Sequence, residues 1–579
     1  MGRLAVLVLL LATLGIASPA ALLGGDRKTY LEDFEFLDET VRAHSAALKS
    51  KGIDWKSAAA RFRPRFADAS SDLEHVRNIM ELLAVLEDGH TDVWKCDVRG
   101  LPGKFEGCYG GGLWFGFEGG KFVLRGMTEE LRDGGQLEAG SVLVTIGEEP
   151  AWLAMERDRR RIAAFFGISS KHSLYGSMCN RLLPFGERGQ LPLTFLGSDG
   201  ELQKVTVARF SPSGKSFSPS SVQLPEGVEA KEGAVSRLLE PEWGGRLGYL
   251  RITGSMNAET VTAFHAALEE LRGMEALLLD CRSMGGGSDG AAWEIAGRFY
   301  PEGVDNGRNG RIEASGDWQF DGPIVMLQNE TMVSSAETFT WAMSEPGRVV
   351  SVGSNTGGWA IIPRVFECPS GLASVRIGVT DRATPMRGIH TEGIGWPPDV
   401  TLPLGPVFCA RPDPAREIAL EVVRVLMAGF RAGEVREDFA ALFRGEVAAF
   451  RQAGARYAKR ARGFKPERLA RQVVDDLKAE LDMEMELLKL DGAATPDLLG
   501  ADERLAGLVA RGNAAGLGAA ASRLTKAVRA ARPEMAAQRE LLQLLDREMS
   551  QPDPKQCKQF LSRHGKGRLG RLLRESLWK

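Results

Sequence analysis

The chain has no Cys-x-x-Cys pair and no Cys/His cluster at zinc-finger spacing, although it contains seven cysteines in 579 residues. A structural metal and a resident metal cofactor are therefore not expected. No apolar run is long enough to span a bilayer. The longest, LAVLVLLLATLGIA at residues 4–17, falls short of the roughly 20 residues a spanning helix needs. Charge of neither sign dominates, with 73 Lys and Arg against 76 Asp and Glu, which gives no electrostatic reason to expect nucleic acid as a partner. An odd number of cysteines leaves at least one unpaired in a monomer, and Cys96 with Cys108 is the nearest pair in sequence.

What is present begins with a targeting pattern. Arg3 precedes the apolar run, and Ser18-Pro19-Ala20 supplies small residues where a signal peptidase cuts. Residues 1–20 read as a signal peptide, so the mature protein is expected to be secreted or periplasmic without stable membrane insertion. Residues 28–95 then place Phe34, Leu37, Val41, Val76, Ile79, Leu82, Leu83 and Leu86 at helical spacing. Residues 105–210 change to short alternating runs with Gly turns, and Ser198-Asp199-Gly200 marks a hairpin. Residues 211–235, rich in Ser, Pro and Gly, read as a linker.

From 236 to 407 strand and helix signals alternate, which predicts an α/β layered domain with crossover connections. Predicted strands are 246–252, 276–280, 323–327 and 349–352; predicted helices are 261–271, 291–299 and 336–343. From 410 to 579 strand signals vanish, and Ala, Leu, Arg, Glu and Lys with helical periodicity predict a separate all-helical region.

Ser334 stands where the predicted strand Pro323–Leu327 turns into a helix. Free N–H groups and the positive dipole end at such a place favour a developing anion. A serine there is a helix cap or a nucleophile. Leu277 to Gly287 (LLLDCRSMGGG) brings a second buried strand to a glycine triplet, whose bare N–H groups suit an oxyanion hole. A further Gly loop, GSNTGG at 353–358, and a polar turn-rich stretch from His390 to Val400 follow.

The order DGHT (88–91), GYLRI (248–252), LLLDCRSMGGG (277–287), NETMVSSAE (329–337), GSNTGG (353–358) and EGIGWPPDV (392–400) resembles the C-terminal processing (tail-specific) serine peptidase family. The resemblance runs over residues 75 to 405. It implies a crotonase-like α/β peptidase core, an N-terminal helical cap, and a PDZ-like β-rich module at 105–210, where LEAGSVLVTIGEEP is similar to a PDZ phrase. One branch of the family pairs its serine with a lysine in the downstream Gly phrase. Here Trp359 holds that place, and no Lys occurs between Ser334 and Glu392. The resemblance therefore points to the tricorn-core-like branch, with Ser334 as nucleophile, His90 as general base and Glu392 as orienting carboxylate. His390, beside Glu392, is the competing base. The hole would be formed at Ser335 and at Gly286 or Gly287. Met284, where the family often has Asn, departs from the pattern. Asp88 and Asp399 read as turn residues.

The expected function is an exported serine endopeptidase acting through an acyl-enzyme, with a peptide or protein substrate and no cofactor. A homo-oligomer is compatible with the sequence. Two alternatives stand beside it: a non-catalytic ligand- or peptide-binding protein on the same fold, and a scaffold whose helical C-terminus docks partners.

Overall fold

A computed structural model describes residues 27–565 and 569, save 104–108, 111–112, 119, 128–130, 132–136, 181–188, 211–223, 226, 230–232, 283, 306–310, 382–389, 403–409, 412, 491–500 and 547–553. The signal-peptide reading at 1–20 and Cys108 lie outside the described residues. The fold is mixed α/β, with several sheets and many helices. The described residues divide into two compact units: those within 1–104, 161–169 and 361–382 form one, and the others form the second.

In the first unit, helices Arg27–His44, Ala46–Ser50, Trp55–Asp68 and Asp72–Ala84 pack on a three-stranded antiparallel sheet of Asp92–Cys96, Ala373–Thr380 and Ile362–Glu367. Their shared core includes Phe34, Leu37, Phe62, Phe66, Ile79 and Leu83 from the helices, with Val375 and Ile377 from the sheet. Two expectations change here. Residues 92–96 are a strand rather than a continuation of the helical run, with Asp92 opposite Arg376 and Cys96 opposite Ala373. The segment 361–382 also leaves the predicted 236–407 domain to supply this sheet. Strand pairing across more than 270 residues carries no local periodic signal, so neither change could be read from the sequence.

In the second unit a mainly parallel sheet follows chain order. Leu247–Met256, Ala276–Asp280, Ile324–Gln328, Val350–Gly353 and Val400–Thr401 lie side by side in that sequence. Gly233–Leu239 pairs antiparallel to the first of these, so residues 233–235 are strand rather than linker. Because each step moves to the next neighbour with the same hand, the crossover helices fall on one face. Ala258–Glu270, Asp289–Gly297 and Ser335–Ser344 do so, burying Leu277, Leu279, Ile324 and Met326 beneath them.

A parallel sheet must be covered on both faces. The other face presents Leu278, Val325, Leu327, Val350 and Val352, and it is the C-terminal helices that cover it. Helix Pro414–Met427 brings Ile418, Ala419, Val422 and Val425, and Ala432–Phe443 brings Val435, Phe439 and Leu442. The region from 410 onward is helical in its described residues, yet its first helices are a layer of the parallel sheet rather than a separate body.

The antiparallel block comprises Tyr109–Gly110, Leu113–Glu118, Lys121–Met127, Val142–Ile146, Glu149–Pro150, Gly189–Leu196 and Leu202–Phe210. The expected hairpin at Ser198-Asp199-Gly200 joins the last two strands, with Leu196 opposite Leu202. Val123, Val142, Val144 and Leu196 pack on Met483 and Leu487 of the long helix Pro466–Lys489. Lys121 forms a buried ion pair with Glu484 of the same helix.

Candidate active site

Strand Ile324–Gln328 is buried throughout, because it lies inside the parallel sheet. Its carboxyl end turns through residues 329–333 and enters helix Ser335–Ser344, every residue of which is buried. Ser334 is the N-cap, with φ 59° and ψ −120°. Ordinary N-caps have extended backbone at negative φ. Among the described residues only Glu87 and Ser334 are non-glycine residues at positive φ. Such a conformation costs on the order of 1–3 kcal/mol and persists only where its surroundings enforce it. A strand–sharp turn–helix geometry of this kind lifts a nucleophile clear of the sheet in the α/β-hydrolase fold. Ser334 is only partly buried, whereas Ser335 is buried and donates its hydroxyl to the Gly287 carbonyl at 2.8 Å.

The glycine triplet lies against this turn. A Cβ placed on Gly286 would stand 2.6 Å from Ser334 Cβ and 3.1 Å from its Oγ. Gly287 has φ 151°, and a Cβ there would meet the Met256 carbonyl oxygen at 2.2 Å. Both positions need glycine for steric reasons. The strand leading to them is fixed by Arg282. This buried guanidinium donates to both carboxylate oxygens of Asp280 and to both of Asp413, at 2.8–2.9 Å. Asp413 caps helix Pro414–Met427, so the sheet's second layer is pinned to the glycine strand. Met284 is fully buried in the core beneath.

Glu337 carries most of the site's internal order. Its carboxylate accepts from Thr356 Oγ1 at 2.6 Å, Gly358 N at 2.8 Å, Trp359 N at 2.6 Å and Ser334 N at 3.2 Å. One buried side chain thus joins the serine turn to the Gly loop at 356–359. Its pKa is pushed up to about 7, chiefly by burial and also by the charge of Glu392, against the opposing hydrogen bonds from Thr356, Gly358 and Trp359. Nothing in the motif order marks Glu337 for this role. The Ser-x-x-Glu capping-box spacing at 334–337 was the signal that could have found it. Trp359 takes part through its backbone N–H.

Glu392 is buried and accepts from Ala360 N at 2.8 Å. Its segment is clasped to the Gly loop: Gly393 N donates to Gly358 O, and Trp396 N to Thr356 Oγ1. Gln328, at the end of the central strand, donates to the Ser354 and Trp396 carbonyls at 3.0 and 2.8 Å. Asp399 accepts from Ser351 N and Oγ and pairs with Arg436, in keeping with a structural role. The second unit therefore brings together Ser334, Ser335, Gly286, Gly287 and Glu337, with Glu392 beside the Gly loop. His390 is exposed.

His90 lies in the first unit, in the turn after helix Asp72–Ala84. Its backbone N donates to Asp88 Oδ1 at 3.0 Å, and it is only 7 % exposed. Asp88 also accepts from Thr91 Oγ1 at 2.6 Å, and Thr91 Oγ1 accepts from Gly378 N at 3.0 Å. The DGHT turn is thus held by its own aspartate and by the sheet.

Residues 246–402 match the model of peptidase family S41. The chain carries a peptidase family S41 domain. A carboxyl-terminal-processing protease of Picosynechococcus sp. is 29 % identical over 336 residues, covering 56 % of this chain and 72 % of that protein. A protein of the same name from Synechocystis sp. is 32 % identical over 161 residues, covering 26 % and 37 %. Among solved structures, mature CPAF aligns over 69 % of this chain and 97 % of its own, at 14 % identity and a TM-score of 0.50, a likeness of fold. The S41 domain spans the parallel sheet from Leu247 to Thr401, including the serine turn and both Gly loops. By class the protein is a serine-type peptidase, and its substrate is a peptide or protein.

Proposed function

We propose that the protein is an exported serine endopeptidase that cleaves through an acyl-enzyme, with Ser334 as nucleophile, His90 as general base and Glu392 as the carboxylate that orients it. The observation that carries the reading is the backbone of Ser334. A non-glycine residue held at φ 59° between a buried strand and a buried helix needs a reason, and a nucleophile presented beside a bare glycine is one. Ser334 Oγ attacks the scissile carbonyl carbon while His90 takes its proton. The C–N bond then breaks, and the imidazolium returns that proton to the leaving amine. Water, deprotonated by the same imidazole, attacks the ester carbonyl; the bond to Ser334 Oγ breaks, and the imidazolium returns its proton to that oxygen as the carboxylic acid leaves. The tetrahedral oxyanion would be held by Ser335 N–H, with Gly286 or Gly287 N–H as the second donor.

The domain reading belongs to the same proposal. The parallel sheet with its sequential strand order is read as the crotonase-like core, residues 28–95 as the helical cap, and the antiparallel block as a PDZ-like module. The relatives' name suggests carboxyl-terminal segments of proteins as substrates, captured by strand addition on that module. Export rests on the sequence pattern at residues 1–20.

A fluorophosphonate serine probe on the purified protein, read by peptide mass mapping, tests the assignment. Labelling at Ser334 is expected in the wild type, lost in Ser334→Ala, retained in Ser335→Ala, and slowed by at least about 100-fold in His90→Ala. Labelling that survives Ser334→Ala would overturn it. A wild type that neither labels nor cleaves peptides would favour the non-catalytic binding protein.

A further inference from the structure

The Gly loop at 356–359 is held on one side by Glu337. On the other side it is held by a helix from the antiparallel block. Ser170 Oγ donates to the Gly357 carbonyl, and His172 Nε2 lies 2.8 Å from the Thr356 carbonyl. Because that partner is a carbonyl, Nε2 carries the proton, and either the neutral or the charged ring can donate it. Ser170 is buried, and its Oγ also accepts from Ser173 N at 3.4 Å in the first turn of helix Lys171–Asn180. Ser173 Oγ would stand 3.0 Å from a Cβ on Gly357, so the helix and the loop are packed tightly together.

The helix is anchored in turn to the antiparallel sheet. Its Tyr175 ring packs on Phe117 at 4.5 Å and on Phe122 at 5.9 Å between centroids. The Tyr175 hydroxyl donates to Glu156 at 2.6 Å.

Peptide planarity gives these contacts a consequence. The Gly357 carbonyl and the Gly358 N–H belong to one rigid plane. Fixing the oxygen with Ser170 fixes the direction of the N–H, which donates to Glu337 Oε1 at 2.8 Å. The Thr356 carbonyl and the Gly357 N–H share the preceding plane. His172 holds its oxygen, and its N–H donates to the Met332 carbonyl at 2.7 Å. Successive glycines, with Gly358 at φ 77°, have no side chains to resist a plane flip. External hydrogen bonds must supply that resistance.

We infer that Ser170 and His172 are positioning residues for the serine. Through the Gly357–Gly358 plane Ser170 fixes one donor of Glu337, and through Glu337 the backbone N–H of Ser334; through the Thr356–Gly357 plane His172 fixes the loop's tie to the Met332 carbonyl just before the serine. Neither needs to touch substrate. The inference rests on the reading of Ser334 as nucleophile, and it makes the antiparallel block part of the active site's scaffolding as well as a candidate binding surface.

The test compares wild type, Ser170→Ala, His172→Phe, the double variant and His172→Gln, whose amide can replace the Nε2 donor. Peptide hydrolysis, probe labelling at Ser334, and hydrogen exchange of the 354–360 peptide in substrate-free protein are read on each. The double variant is expected to lose about tenfold in kcat or more while KM changes little, as for lost hydrogen bonds that act on positioning rather than binding. Labelling should slow in parallel, exchange at Gly358 and Trp359 should accelerate, and His172→Gln should recover most of the single-variant loss. A double variant with wild-type exchange and wild-type labelling would overturn the inference. Exchange is independent of activity, so a wild type that fails to label would sink the nucleophile assignment separately.

Discussion

Gly286 and Ser334 are in such close contact that the glycine cannot gain a side chain. A methyl group on Gly286 would sit 2.6 Å from Ser334 Cβ, well inside normal carbon–carbon contact. The turn that presents the serine and the strand that presents the glycine triplet therefore fit only as a pair.

Gly286→Ala should displace the serine or the glycine strand by several tenths of an ångström. The expected result is a loss in kcat/KM of about 100-fold with a much smaller change in melting temperature, because the added methyl disturbs geometry rather than the core. Hydrolysis rates beside thermal melting check this. Wild-type activity in the variant would show that the contact is relieved without affecting the site.

Glu337 gives a pH dependence with a defined sign. Its folded pKa, about 7, lies above the ordinary value of 4.5. Between those values the folded state binds more protons than the unfolded state, so folding takes up a proton. This contribution to stability is fully present below pH 4.5, is lost as pH rises through about 7, and is flat above that. Its size is on the order of a few kcal/mol. Glu337→Gln should remove that slope from urea-unfolding free energies measured between pH 5 and about 8. It should also lower kcat, because an amide cannot accept from all four donors.

Arg282 supplies a stability prediction. Arg282→Met leaves Asp280 and Asp413 buried without their cation, which typically costs about 3–5 kcal/mol. The reduced midpoint should appear in denaturant unfolding. Since Asp280 leads directly into the glycine strand, probe labelling of Ser334 should fall even under conditions where the variant stays folded.

Truncation at residue 407 should not yield an active core. It would strip the apolar cover from Leu278, Val325, Leu327, Val350 and Val352, which the helices from 414 onward bury. We expect aggregation or a molten chain, seen by near-UV circular dichroism and size-exclusion chromatography. A soluble, cooperatively folded truncation would show that the sheet can bury that face without them.

The elements nearest the serine were legible from local pattern. Ala276–Asp280 has the predicted bounds, and Ile324–Gln328 and Ser335–Ser344 lie within one residue of theirs, because apolar runs ended by glycine or polar turns are short-range signals. The S41 match and the motif order agree for the same reason: motifs are local. What could not be read was every relation that depends on distant chain. Strand Asp92–Cys96 gave no helix-breaking cue strong enough to separate it from the preceding helices, and its partner lies at 373–376. The helices after 410 looked independent because amphipathic periodicity shows that a face is apolar and not what it covers.

The sequence by itself determined which residues have the chemistry: a serine at a strand-to-helix turn, a glycine triplet at a strand end, and carboxylates at fixed spacing from both. Tertiary structure decided the conformation and the company of those residues. It placed Ser334 at positive φ, set Gly286 against it, and gave Glu337 four donors from two segments. A residue's capacity to accept a proton or a hydrogen bond is local. The cost of burying Glu337, and of holding Ser334 in a strained conformation, is met only by contacts from elsewhere in the chain.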